Sequence, residues 1–166
     1  MRYLFALAAA LLLPSISAGA EILEPPSDRV LLVVSGKLDR TNVGDEAHFD
    51  RAMLEALDQH ETLTHTPWHD GAVRFSGPLF QTVLDTVESQ GRTVRVSALN
   101  DYSANIPVSD FRAHDVILAM RANGEPLRVR DQGPLFVIYP FDDDPELLNE
   151  ITLTRSVWQV NRIDIE

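Results

Sequence analysis

His65 and His69 stand four residues apart, a spacing that on a helix would aim two imidazoles at one metal ion, as in a zinc protease. Pro67 lies between them and no glutamate follows His65. The helix and the general base of such a site are both missing, so the pair reads as two unrelated histidines on a loop. Asp142-Asp143-Asp144 offers oxygen ligands that suit calcium or magnesium, yet Pro145 follows at once and the later glutamate of an EF-hand is absent. A solvated acidic turn ahead of a short helix starting at Pro145 accounts for these carboxylates, because negative charge is favourable at a helix N-terminus without any ligand. No serine sits in a Gly-x-Ser-x-Gly elbow, and the eight glycines form neither Gly-x-Gly-x-x-Gly nor a P-loop. Nucleotide chemistry therefore has no support.

One stretch is chemically denser than its surroundings. Asn100, Asp101, Tyr102, Ser103 and Asn105 leave a strand and run to Pro107, setting donors and acceptors beside an aromatic ring. Polar groups held at a strand end are a common way to build a ligand pocket. The same residue types also satisfy turn backbone by themselves, so this loop needs support from the elements around it.

Those elements can be read from periodicity. Val30 to Val34 is an apolar, β-branched run ending at Ser35-Gly36, the pattern of a strand buried on both faces. From Asp45 to Leu57, Phe49, Met53, Leu54 and Leu57 recur at helical spacing and predict an amphipathic helix, with His48 and His60 on its exposed side or beyond its end. A second helix is expected from Pro78, well suited to a first turn, through Ser89, with Leu79, Phe80, Val83, Leu84 and Val87 as its buried stripe and Gly91 ending it. Thr93 to Leu99 alternates like a strand with one wet face, and Asn100 to Pro107 follows as a loop. Val116 to Met120 and Leu127 to Val129 flank Asn123-Gly124, a pair that tolerates positive φ and suits a tight hairpin. Leu135 to Tyr139 and Val157 to Ile165 complete the strands, with an acidic segment, Asp142 to Glu150, between them. Strands and helices without a regular βαβ repeat predict an α+β fold with a mixed sheet.

Bulk properties restrict the function classes. Arg2, the apolar run Leu4 to Leu13 and Ala18-Gly19-Ala20 read as an export signal over residues 1–20. The run stops at Pro14, short of the roughly 20 residues needed to cross a bilayer. Residues 21–29, with Pro25-Pro26, read as an extended lead, and residues 30–166 as one domain. The expected location is the periplasm, with no membrane insertion of the mature chain. A net charge of −11, more negative still once Arg2 leaves with the signal, repels nucleic acid phosphates. The chain has no cysteine, so disulfides, thiol chemistry and thiolate ligation of a metal are all excluded for it.

The order of motifs adds a further reading. Phe75-Ser-Gly-Pro-Leu79, Leu84, Val96-Ser-Ala-Leu-Asn-Asp-Tyr102, Ile106-Pro107, Asp110, Val116-Ile-Leu-Ala119, Asn123-Gly-Glu-Pro-Leu127, Gly133-Pro-Leu135, Tyr139-Pro140 and Trp158-x-x-x-Arg162-Ile163 together resemble the catalytic-domain pattern of the sulfite oxidase family, from about Val30 to the end. The resemblance implies a mixed α+β fold of the molybdopterin-binding type, with a cysteine thiolate on the molybdenum. This chain departs from it at two places. The segment ahead of Trp68 and Gly71, where the family places its cysteine loop, holds no thiol. The stretch between Pro140 and Trp158 is acidic, where the family brings basic and glycine-rich residues to the pterin phosphate.

The resemblance and the missing thiolate together imply a non-catalytic ligand- or partner-binding module on an oxidoreductase-like scaffold. Its pocket is expected where the family holds its cofactor, formed by Trp68, His69, Asn100, Tyr102 and Arg155. The aromatic residues would supply apolar faces with polar tips, His69 a pH-sensitive group, and Arg155 a bidentate contact to an anion. The expected partner is a small anionic ligand or an envelope protein. No cofactor and no metal are expected under this reading. The alternative is a molybdopterin-dependent oxidoreductase that ligates its metal without cysteine, through the cofactor's own dithiolene sulfurs and an oxygen or nitrogen ligand.

Overall fold

The computed structural model of the chain describes residues 23–166, so the expected export signal over 1–20 lies outside the described residues. The apolar run becomes strand β1 (Val30–Gly36). Strands β2 (Ala47–Asp50), β5 (Thr93–Ala98), β6 (Ser103–Pro107) and β11 (Val160–Ile165) join it in a sheet of order β2-β1-β11-β5-β6. The β1–β11 pair is parallel and the other pairs are antiparallel. A mixed sheet within an α+β fold is what the pattern of elements called for.

A second layer is built from β3 (Gln59–His65), β4 (Ala72–Pro78), β8 (Arg121–Ala122) and β9 (Glu125–Pro126), hydrogen-bonded in that order. Beside it, β7 (Ile117–Ala119) pairs antiparallel with β10 (Phe136–Ile138). Four short helices cover the sheets: α1 (Arg51–Glu55), α2 (Phe80–Thr86), α3 (Val108–Ala113) and α4 (Glu150–Arg155). The larger core lies over the five-stranded sheet, and a smaller one gathers Val73, Phe75, Ile117, Leu127 and Phe136. Trp68 packs against both cores, at their seam.

Several expectations are corrected. The stretch 45–57 is not one helix: Ala47–Asp50 is a strand, and only Arg51–Glu55 is helical. Asp50 sets this break, because its buried carboxylate accepts from Met53 N at 2.9 Å and so caps a helix that begins at the next residue. Phe49 is buried from the strand and Leu54 from the helix, which mimics the spacing of a single amphipathic element. Pro78 closes β4 instead of opening α2, whose N-cap is Leu79. Within α2, Phe80 stacks on Phe111 of α3 with centroids 4.0 Å apart.

The expected loop 100–107 is mostly β6, whose residues offer one buried apolar side chain, Ile106, and therefore little periodic signal. Asn123-Gly124 does form a tight turn, at φ 50 and 84, but it joins the two-residue strands β8 and β9, not the longer flanks expected. Val129 opens a 3₁₀ turn instead of ending a strand. The acidic stretch holds the short helical turn Pro145–Leu147, capped by Asp144, which accepts from Glu146 N at 3.1 Å.

Candidate functional site

Trp68 comes from the connection between β3 and β4, Asn100 and Tyr102 from the turn between β5 and β6, and Trp158 from the link between α4 and β11. These four side chains, with Leu153, Val157 and small groups from β5 and α4, line a cavity of about 350 Å³, a size that holds a small ligand. Both tryptophans of the chain are in its wall. Their ring centroids lie 5.7 Å apart at an interplanar angle of 75°, so the two rings meet as a corner. Trp68 also leans on Phe136, with centroids 5.6 Å apart, which fixes it from the core side.

Tyr102 supplies a third ring. Its hydroxyl donates to the carbonyl of Thr154 at 2.8 Å and ties the β5–β6 turn to the end of α4. Asn100 Oδ1 accepts from Tyr102 N at 3.2 Å, an Asx-type turn that lets Asp101 adopt φ 65. The hydroxyls in the wall are turned to local backbone: Thr154 Oγ1 donates to Ile151 O at 2.7 Å and Ser156 Oγ to Thr152 O at 3.0 Å. Among the described residues, Asn100 Nδ2 has no hydrogen-bond acceptor.

Of the five residues singled out from sequence, Trp68, Asn100 and Tyr102 line this cavity, whereas His69 and Arg155 do not. His69 is half-buried, with Nδ1 2.8 Å from Thr66 Oγ1 and its ring edge-on to Phe75. Burial holds its pKa below the ordinary imidazole value, which favours the neutral ring. Arg155 donates from Nη1 to Asp110 Oδ2 at 2.8 Å, and the same oxygen accepts from Tyr139 at 3.0 Å. Burial, with Asp110 adding to it, drives the Tyr139 phenol far up, so it remains a donor at all working pH values.

Trp158, Leu153 and Val157 are wall residues that the sequence reading did not propose. The signal available for Trp158 was its place in the motif order. Arg162 of that motif serves elsewhere: it donates to Glu46 at 2.7 Å, Ser35 at 2.9 Å and Asp164 at 3.1 Å, bracing β1 against β11. His65 and Asp142, read separately from sequence, are partners. Asp142 accepts from His65 N at 3.1 Å, its other oxygen lies 2.8 Å from His65 Nδ1, and its own N–H donates to Thr64 Oγ1. The His65 contact holds the Asp142 carboxyl below the usual carboxylate range.

A molybdopterin group would need a ligand for its metal and cations for its phosphate. The chain has no cysteine, and among the described residues no three His, Asp or Glu side chains converge on a point where a metal could sit. The cavity wall carries no Lys, Arg or His. The residues present do not fit that group.

The family described as oxidoreductase molybdopterin binding domain matches residues 47–141, a span that includes Trp68, Asn100 and Tyr102 and stops before Leu153 and Trp158. No curated protein matches the chain. Among solved structures, the sulfane dehydrogenase SoxCD from Paracoccus pantotrophus is similar in fold, with a TM-score of 0.60 at 17% identity. The likeness covers 81% of this chain and 37% of that one, so this chain spans well under half the length of the protein it matches.

Proposed function

The chain belongs to the oxidoreductase molybdopterin binding domain family, and from that premise we propose that it works in the cell envelope as a non-catalytic module that binds a small ligand at the Trp68–Trp158–Tyr102 cavity. The observation that carries this reading is the make-up of the wall: three aromatic rings, no thiolate and no cationic side chain. Such a wall rewards burial of an apolar or planar molecule and offers no cation to offset the desolvation of a phosphate. The anionic ligand expected from Arg155 loses its main support, because that guanidinium is engaged by Asp110. The export signal read at residues 1–20 supports the envelope location. Among the described residues, no helix is long and apolar enough to cross a membrane.

Family membership itself favours a second reading, an oxidoreductase whose metal is held without cysteine. Native mass spectrometry of the protein isolated from its own host separates the two. A co-purifying species smaller than molybdopterin supports the binding module, and an adduct of molybdopterin mass contradicts it.

A further inference from the structure

We propose that the cavity is an aromatic cage for a small organic cation of the quaternary ammonium class, an inference that rests on the ligand-binding reading and names its ligand chemistry. The face of an aromatic ring carries negative potential, and two or three rings set at steep angles surround a methylated ammonium on several sides at once. Trp68 and Trp158 provide such a corner, at 75°. Tyr102, 46% exposed but pinned through its hydroxyl to Thr154 O, provides an outer wall that is already held in place.

The charges around the cavity agree with this chemistry. Among the wall residues and their immediate neighbours in sequence, the charged side chains are Asp101 and Arg155, and His69 is the one other titratable group beside a ring. Arg155 is neutralised by its ion pair with Asp110. Asp101 sits outside the lining, in the exposed turn between the wall residues Asn100 and Tyr102, and has no salt-bridge partner among the described residues, so the turn that forms one wall carries an unpaired negative charge. The acidic chain as a whole adds to this attraction at long range. Asn100 Nδ2, a donor without an acceptor among the described residues, suits an oxygen carried two carbons away from the ammonium nitrogen, as in choline. The wall hydroxyls of Thr154 and Ser156 already donate to backbone carbonyls, so they do not compete for that oxygen.

The test is a titration of the purified protein, followed by tryptophan fluorescence, with choline and with 3,3-dimethyl-1-butanol, which has the same shape with carbon in place of the charged nitrogen. The cage predicts that choline binds about tenfold or more tighter than its uncharged isostere, a preference that cation–π contacts can supply. Tyr102→Leu should abolish most of that preference and Tyr102→Phe should keep it, since the ring is what matters. Equal or tighter binding of the isostere would overturn the cage while leaving an apolar ligand site, and with it the binding-module reading, intact. A choline preference that survives Tyr102→Leu, or no binding of either compound by folded protein, would also overturn the cage. The mass of the co-purifying species, measured separately, decides the broader reading.

Discussion

Arg155 and Tyr139 converge on one oxygen of Asp110, at 2.8 Å and 3.0 Å respectively, from opposite sides of the sequence stretch that the acidic turn occupies. Tyr139 is buried, and both members of the Arg155–Asp110 pair are largely shielded from solvent. The pair therefore acts as a brace between α3, β10's following turn and the end of α4, and Arg155 lies outside the lining of the neighbouring cavity.

Removing the shared acceptor should be expensive. Asp110→Ala leaves the Tyr139 hydroxyl buried without a partner, and a loss of about 2–3 kcal/mol is expected for hydrogen bonds to a charged group. Tyr139→Phe, which removes the donor as well as its need for a partner and leaves Asp110 paired with Arg155, should cost less, about 1.5 kcal/mol. Urea denaturation of the two variants checks the order.

The Asp50 carboxylate gives stability a defined pH dependence. The hydrogen bond from Met53 N, and those from Ser27 and Asp28, hold its pKa below the ordinary value of 3.8 despite burial. A depressed carboxyl stabilises the fold fully above its unfolded pKa, and the contribution is lost as pH falls through the lower folded pKa. The Tm gap between the natural chain and Asp50→Asn should therefore be widest at neutral pH and narrow as the pH is taken below the ordinary carboxylate range. A gap that widens on acidification would contradict this account.

Gly77 lets two layers approach. A Cβ at this position would lie inside the van der Waals shell of the Leu118 carbonyl oxygen, where β4 passes β7. Backbone cannot yield as a flexible side chain would, so Gly77→Ala should destabilise by about 1–3 kcal/mol, the usual range for overpacking. Thermal unfolding measures it.

Where the sequence was legible, the apolar residues obeyed one period. β5 shows this: Val94, Val96 and Ala98 are buried and Arg95 is exposed, as the alternation required. β1, read as buried on both faces, buries Leu32 and Val34 fully but leaves Leu31 and Val33 only half-buried. β3 was missed because its pattern is inverted, with Thr62 and Thr64 buried and Leu63 52% exposed. An inward row of threonines carries no hydrophobic alternation to read. In β11 a register shift between Val160 and Arg162 lets Val160 and Ile163 both face inward, so its period is broken by one residue. The site was legible in part for the same kind of reason. Trp68, Asn100 and Tyr102 stand out by type and place, whereas Leu153 and Val157 are ordinary apolar residues that only the tertiary fold brings to the cavity. Arg155 was grouped with the cavity residues because nothing in the sequence says that Asp110, 45 residues earlier, faces it.

The proposal of a non-catalytic module rests on a missing donor set: the chain has no cysteine, and among the described residues no three His, Asp or Glu side chains converge. The most direct measurement is elemental analysis of the protein purified from a host that makes the cofactor. Folded material should carry molybdenum at background level only. Near-stoichiometric molybdenum that stays through gel filtration would contradict it.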